Sequence, residues 1–419
     1  MEGYILDWAN LLLRWLHVIV AIAWIGSSFY FVWLDNSLTK PTAPDLQDKG
    51  VDGELWAVHG GGFYNPQKYL LAPKQLPDHL HWFYWESYST WMSGFALLTV
   101  VYLFNANVYM IDRSVFDMTA TTAVILALAF LVVGWLVYDT ICRVFGKNDR
   151  VVGILVAIYV VLAAFAACHL FSGRAAFLLI GAMIATIMSA NVFFWIIPGQ
   201  RKVVASLKAG EKPDPIHGKR GKQRSVHNTY FTLPVLFAML SNHYSMTYAS
   251  KHNWAVLVLI MLAGVLIRQF FILKHKGVIN WGYPAAGVAV LLGVAVWLAP
   301  VQRPAAPVAE SAAAVPAVAA EGGAAAPAAT AGASGSDFAK VQAVVTARCY
   351  QCHSAHPTLM PSPAKGVLLD SPDALSKHAQ LIYQQVVQQK LMPLGNVTNI
   401  TDDERTIIAK WFEGGAKTN

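Results

Sequence analysis

The sequence predicts an all-α chain in two parts. An eight-helix transmembrane bundle fills residues 1–299, a small helical domain fills 337–419, and a flexible Ala/Pro-rich tether, 300–336, joins them. Three observations predict this. The chain is 56 % hydrophobic and only 13 % charged, far from the balance of a soluble domain. Apolar runs long enough to cross a bilayer as helix recur along the first three quarters of the chain. After Ala299 the composition changes abruptly to Ala, Pro, Gly and Val, and an ordinary mixed sequence follows.

The predicted spans are 10–34, 84–105, 119–142, 151–170, 174–197, 226–249, 253–273 and 282–299, the first and sixth being the least purely apolar. No cleavable signal peptide is expected. Met1 to Asn10 carries Glu2 and Asp7 but no Lys or Arg, and the first apolar run is too long for a signal core. The loops between spans set the orientation, because inward-facing loops are rich in Lys and Arg. The loops after the first, third, fifth and seventh spans hold Lys40, Lys49, Lys68 and Lys74; Arg143, Lys147 and Arg150; a dense run from Arg201 to Arg224; and Lys274 and Lys276. The loops after the second, fourth and sixth hold only Arg113, Arg174 and Lys251. Both termini are therefore expected outside, and an even number of spans returns the C-terminal domain to that face. The net charge of +7 is a topology signal and asks for no nucleic acid. The run Arg201–Arg224 reads as a topology determinant ahead of a binding patch.

The first inward loop, 35–83, is long for a bundle connection, and long loops are functional or disordered. Its composition is not that of disorder. It contains Trp56, then His59-Gly60-Gly61-Gly62-Phe63-Tyr64, and later His79-Leu80-His81-Trp82-Phe83-Tyr84-Trp85-Glu86. Glycines let backbone N–H groups approach a ligand, His59 is a candidate proton carrier at neutral pH, and the aromatics offer faces for a flat ring. Trp82, Tyr84 and Trp85 equally read as interface anchors. Glu86, at the mouth of the second span, is a candidate general base.

Polar groups inside the bilayer are costly and raise a functional suspicion. His17, His169 and His243 fall in or at the ends of the first, fourth and sixth spans. Two of them on facing helices would hold a b-type haem. The alternative is that each bonds a carbonyl or hydroxyl of the bundle. Cys142 and Cys168 read as small apolar packers. A haem–copper oxidase fails by count, since it needs roughly six such histidines.

The tether cannot bury a core, and as a coil it would span roughly 35 Å root-mean-square. It reads as a swinging arm or as a passive spacer. In the domain beyond it, Asp337 is a candidate N-cap for a helix running to Cys349, and Thr401-Asp402-Asp403-Glu404 reads as a capping box opening a second helix. Between them lies Cys349-Tyr350-Gln351-Cys352-His353, the C-x-x-C-H attachment signature of a c-type haem. The two thiols take the haem vinyl groups, and His353 becomes the proximal ligand. A methionine commonly completes such iron, and Met392, followed by Pro393, is the candidate. A disulfide or half a zinc site are the alternatives. The domain is thereby expected to be a small class I-like cytochrome c. His356 and His378 read as surface residues.

The span pattern opening with Trp15-Leu16-His17 and Trp24-Ile25-Gly26, the Trp56…His59-Gly60-Gly61-Gly62-Phe63-Tyr64 loop, and the tethered Cys349-x-x-Cys352-His353 domain together resemble the bacterial membrane-bound urate oxidases. The resemblance covers essentially the whole chain. It implies a multi-pass protein of the bacterial inner membrane, with both termini and the cytochrome domain periplasmic. It implies oxidation of urate to 5-hydroxyisourate, with electrons leaving through haem c to a terminal oxidase or a soluble cytochrome, so that no hydrogen peroxide need form. On that reading His59, Glu86 and Tyr64 are the candidate catalytic groups. Trp56, Gly60, Gly61, Gly62 and Phe63 are the candidate substrate-binding groups. Cys349, Cys352, His353 and Met392 hold haem c, and His17, His169 and His243 are candidate haem b ligands. Urate, an electron acceptor and membrane lipid are the expected partners. A relay fed by quinol or a partner enzyme, without a substrate site of its own, is the competing function.

Overall fold

The structure is a computed structural model and describes residues 2–69, 73, 76–113, 115–299, 334–360, 363–364, 367–388 and 390–418. Residues 300–333 of the expected tether lie outside the described residues. The chain divides into two compact units, Met1–Val294 with Gln389–Asn399, and Ala295–Gln388 with Ile400–Asn419.

The first unit is helical with one small β element. Helix α1 (Glu2–Ser37) is longer at both ends than the predicted first span. After it come α2 (Pro44–Asp48) and the strands β1 (Val51–Glu54), β2 (Ala57–His59), β3 (Gly62–Tyr64) and β4 (Gln67–Tyr69). These strands qualify the all-α expectation. Strand β1 pairs antiparallel with β4, and β2 with β3, so the loop is a hairpin nested inside a hairpin. Gly60 and Gly61 form its tip with φ of 58° and 81°, the two positive-φ positions of a type I′ turn, where glycine is favoured. Asn65 holds the inner strands by donating to Glu54 Oε2 at 3.0 Å, and an ion pair of Lys68 with Asp35 ties the outer strand to the end of α1.

Helix α3 (Trp85–Leu98) continues as a π-helical turn, Thr99–Leu103. The short α4 (Ala106–Tyr109) leads to α5 (Ala120–Phe145), α6 (Asp149–Leu170) and α7 (Gly173–Ala190). A second π-helical turn, Asn191–Ile196, joins α7 to α8 (Ile197–Lys208). Pro198 has no N–H to return to the carbonyl of Phe194, and the helix widens just before it. Then follow α9 (Pro215–Leu240), α10 (Ser245–Tyr248), α11 (Asn253–His275) and α12 (Gly282–Trp297).

Five helical stretches, Trp8–Ser37, Ala120–Phe145, Asp149–Leu170, Gly173–Lys208 and Asn253–His275, are long and apolar enough to cross a membrane. The other three predicted spans fall short of that standard for visible reasons. Helix α3 needs its π turn for length, α9 opens with a Lys/Arg-rich half, and α12 has 16 residues, about 24 Å of helix.

The core centres on α7, whose Phe177, Ile180, Met183, Ile184 and Ile187 are fully or almost fully buried. Helix α5 turns one face to it: Ala123, Ala127, Leu131, Gly134, Tyr138 and Cys142 are buried at helical steps of three and four. Glycines allow close approaches between helices. A Cβ on Gly94 of α3 would lie 2.8 Å from the His17 ring of α1, and one on Gly264 of α11 would lie 3.1 Å from Leu233 Cβ of α9.

The second unit contains α13 (Ser334–Arg348), α14 (Tyr350–His353), α15 (Pro372–Lys377), α16 (Ala379–Ile382) and α17 (Asp402–Glu413). Helix α13 begins three residues before Asp337, so Asp337 lies inside it and is not its N-cap. Helices α13 and α17 pack together, with Phe338 and Trp411 ring centroids 6.4 Å apart. Val341, Val345, Leu375, Ile382 and Ile408 fill the space between the helices. The capping box forms as the sequence predicts: Thr401 accepts from the Glu404 N–H at 3.2 Å, and Glu404 Oε2 accepts from the Thr401 N–H at 2.8 Å.

Candidate functional site

Two places in the chain gather chemistry, and each lies within one unit. The first is the C-x-x-C-H turn. Cys352 N–H and His353 N–H both donate to Cys349 O, at 3.1 and 2.8 Å, which closes residues 349–353 into one helical turn. Three residues apart on a turn, the two sulfurs share a face. Both thiols are unbridged, and burial pushes Cys349 up to about 12 and also raises Cys352. His353 Nδ1 lies 3.1 Å from Val367 O. A proton on Nδ1 satisfies that carbonyl, fixes the tautomer and leaves Nε2 for a metal. These residues fit a covalently held haem. Met392, the sequence candidate for the far ligand, falls in Gln389–Asn399, the segment that groups with the first unit.

The second place is at the Lys/Arg-rich end of the bundle. Asp139 of α5 is buried and accepts from Arg224 Nη2 of α9 at 2.7 Å, from Arg143 Nε at 2.6 Å and from Trp195 Nε1 at 2.7 Å. Arg224 is 2 % exposed; its other arm reaches Asn191 Oδ1 at 3.3 Å, and its guanidinium lies 5.0 Å from the Tyr138 ring. Asn191 donates to the Tyr138 hydroxyl at 3.0 Å and to Asn228 at 2.9 Å, and that hydroxyl is 2.8 Å from His227 Nδ1. The π turn presents Asn191 and Trp195 together to this network. A groove of about 580 Å³ lies in the same unit, lined by His81, Trp82, Gln200, His217, Lys222 and Ser225 among others. A lysine, hydrogen-bonding groups and an indole around a space of that size suit a flat anion.

The predicted loop residues divide. His81 and Trp82 line the groove. Trp56, Phe63 and Tyr64 stand on the hairpin at 68, 77 and 54 % exposure, with His59 exposed beside the glycine turn. The Gly60-Gly61-Gly62 run has a backbone reason in that turn. Glu86 lies in the first turn of α3, half-buried. Two of the three candidate membrane histidines have a bundle neighbour. His17 Nδ1 is 3.1 Å from Ser93 Oγ, His169 Nδ1 is 2.8 Å from Phe165 O, and His243 is exposed in the 3-10 turn after α9. Sequence reasoning passed over Asp139 and Arg268, the charged residues inside apolar helices α5 and α11. The signal was present, since a charge in an apolar span is expected to be paired or functional.

A mainly helical chain with five helices long and apolar enough to cross a membrane is compatible with a membrane protein, and its second unit sets Cys349, Cys352 and His353 on one turn. The model of the urate oxidase N-terminal family matches residues 3–299, and the chain belongs to that family. That membership supports an oxidoreductase acting on urate. No curated protein and no solved structure matches the chain.

Proposed function

We propose that this chain oxidises urate to 5-hydroxyisourate in its membrane unit and delivers the electrons through a covalent haem in its C-terminal domain to a terminal oxidase or a soluble cytochrome. Urate and one water give 5-hydroxyisourate, two protons and two electrons, so no oxygen is consumed and no peroxide is made. The observation that carries this reading is the joining, in one chain, of the urate oxidase N-terminal match over 3–299 to the C-x-x-C-H turn. When bound, the haem accepts and passes on single electrons. The chain's part is to hold it by Cys349 and Cys352, to ligate it through His353 with Nδ1 fixed on Val367 O, and, by the sequence reading, through Met392.

All eight predicted spans cross the membrane in this proposal, with the basic loops inside and both termini in the periplasm. The groove at the basic end then faces the cytoplasm, where purines are made. Lys222 draws the anion in, and Trp82 and His81 offer it ring faces. His59 and Glu86 are the proposed proton acceptors, and Tyr64, Trp56 and Phe63 border the approach. Crossing some 30 Å of hydrocarbon is too far for one electron step, and a b haem on two of His17, His169 and His243 would divide it.

The test is anaerobic addition of urate to the oxidised, purified protein while haem absorption is followed, with xanthine and a quinol analogue as controls. Prompt reduction by urate alone is expected. Reduction by the quinol and none by urate would make the chain a respiratory relay.

A further inference from the structure

Among the described residues, the buried side-chain nitrogen and oxygen atoms without a hydrogen-bond partner are three: Arg268 Nε, Arg268 Nη2 and His275 Nδ1. All three belong to α11, and the two residues lie seven apart, on one face and about 10 Å along the axis. Arg268 is 5 % exposed. Its guanidinium face is covered by Phe29 of α1, 4.3 Å from the ring centroid. Gln269, next in sequence, is held by the Tyr230 hydroxyl of α9. Tyr230 and His275 are within electrostatic range of the guanidinium.

A buried cation with unfilled donors is expensive in an apolar bundle. Arg224 shows how this chain meets that expense when the role is structural, with Asp139 and Asn191 taking its donors. Arg268 has a ring on its face, and its Nε and Nη2 are buried with no hydrogen-bond partner. The unfilled Nε–H and Nη2–H are the parallel pair on one side of the guanidinium plane. That edge matches two acceptors set side by side in a flat anion. A deprotonated ring nitrogen next to a ring carbonyl is such a pair.

We propose that the Nε/Nη2 edge of Arg268 is the seat of the urate anion, with Phe29 beside it and His275 as the next polar group along α11. This rests on the urate reading above and adds the residue that holds the substrate, beyond the groove that collects it.

The test is binding of urate to full-length protein reduced beforehand with dithionite, so that no turnover occurs, by equilibrium dialysis. Haem content and size-exclusion behaviour in detergent report folding. R268K keeps the charge without the flat two-donor edge, R268Q removes the charge, and K222Q alters the groove. Loss of a charge-assisted bidentate pair is expected to weaken urate binding roughly tenfold or more in R268K and R268Q, and K222Q is expected to weaken it by less than either. Covalent haem and its reduction by dithionite stay as in the wild type. Wild-type affinity in R268K overturns the inference while leaving urate oxidation intact, as does a larger loss in K222Q than in R268K. Loss of a non-covalent haem from R268Q, with urate binding kept, also overturns it, the edge then belonging to a carboxylate of that cofactor. No urate binding by the wild type removes the functional reading itself and the inference with it.

Discussion

Single residues decide both the proposed haem site and the buried ion pair. Replacing Cys349 and Cys352 together by serine is expected to abolish covalent haem, read as loss of haem staining on a denaturing gel. Met392→Ala is expected to keep the covalent haem and change its oxidised spectrum; an unchanged spectrum would take Met392 out of the ligand set. At the other centre, Asp139→Asn leaves Arg224 buried without its counter-charge, and unpairing a buried ion pair costs about 3–5 kcal/mol. Thermal unfolding in detergent should show it as a large fall in midpoint. An unchanged midpoint would mean that Asn191 and the neutral amide at position 139 hold Arg224 without the charge. The C-x-x-C-H turn was legible because its spacing is local, five consecutive residues that need only one helical turn. The Asp139–Arg224 pair was not, because its members are 85 residues apart and Arg224 was absorbed into the charge count of a loop.

At the scale of elements, the capping box was read correctly because Thr401 and Glu404 satisfy each other within one turn. Thr401→Ala is expected to cost about 1 kcal/mol, measured as a shift in the denaturation midpoint of the second unit within the whole protein. Glu404 also pairs with Arg348, Nε to Oε1 at 3.0 Å and to Oε2 at 3.1 Å. Burial on its own would raise this carboxyl, but the Arg348 and Thr401 hydrogen bonds outweigh burial and hold it below its ordinary value of 4.5. A folded-state pKa below the unfolded one stabilises fully above the unfolded value, and that stability is lost as pH falls through the folded value. Wild type should therefore lose stability on acidification below about pH 5, and E404Q should show a flatter acid limb; parallel limbs would mean that the pair contributes nothing. The inward loop was less legible. Its aromatics and glycines suggested a ligand cradle, and the glycine pair also has a backbone role at a hairpin tip, because a two-residue turn constrains φ as tightly as a ligand does. The pairing of β1 with β4 spans an inner hairpin, which period-two alternation over three or four residues does not reveal.

For the whole molecule, helix placement was readable because apolar length is a summed property that survives error at any one residue. The described helices overlap each of the eight predicted spans. Length and composition alone qualify five of them, and the odd number matters: five crossings would put the termini on opposite faces, and eight put them on the same one. The charge of the loops favours eight, since the Arg201–Arg224 run and Lys274–Lys276 then share a side while Arg113, Arg174 and Lys251 share the other. Protease added to intact spheroplasts separates the two. With eight crossings it releases a haem-staining C-terminal fragment and leaves the basic run of α8 and α9 uncut until the membrane is broken. Cleavage in that run from outside, with the C-terminal unit protected, would fit five crossings or a reversed eight, place the Lys222 groove in the periplasm and oblige urate to be exported before it met this protein.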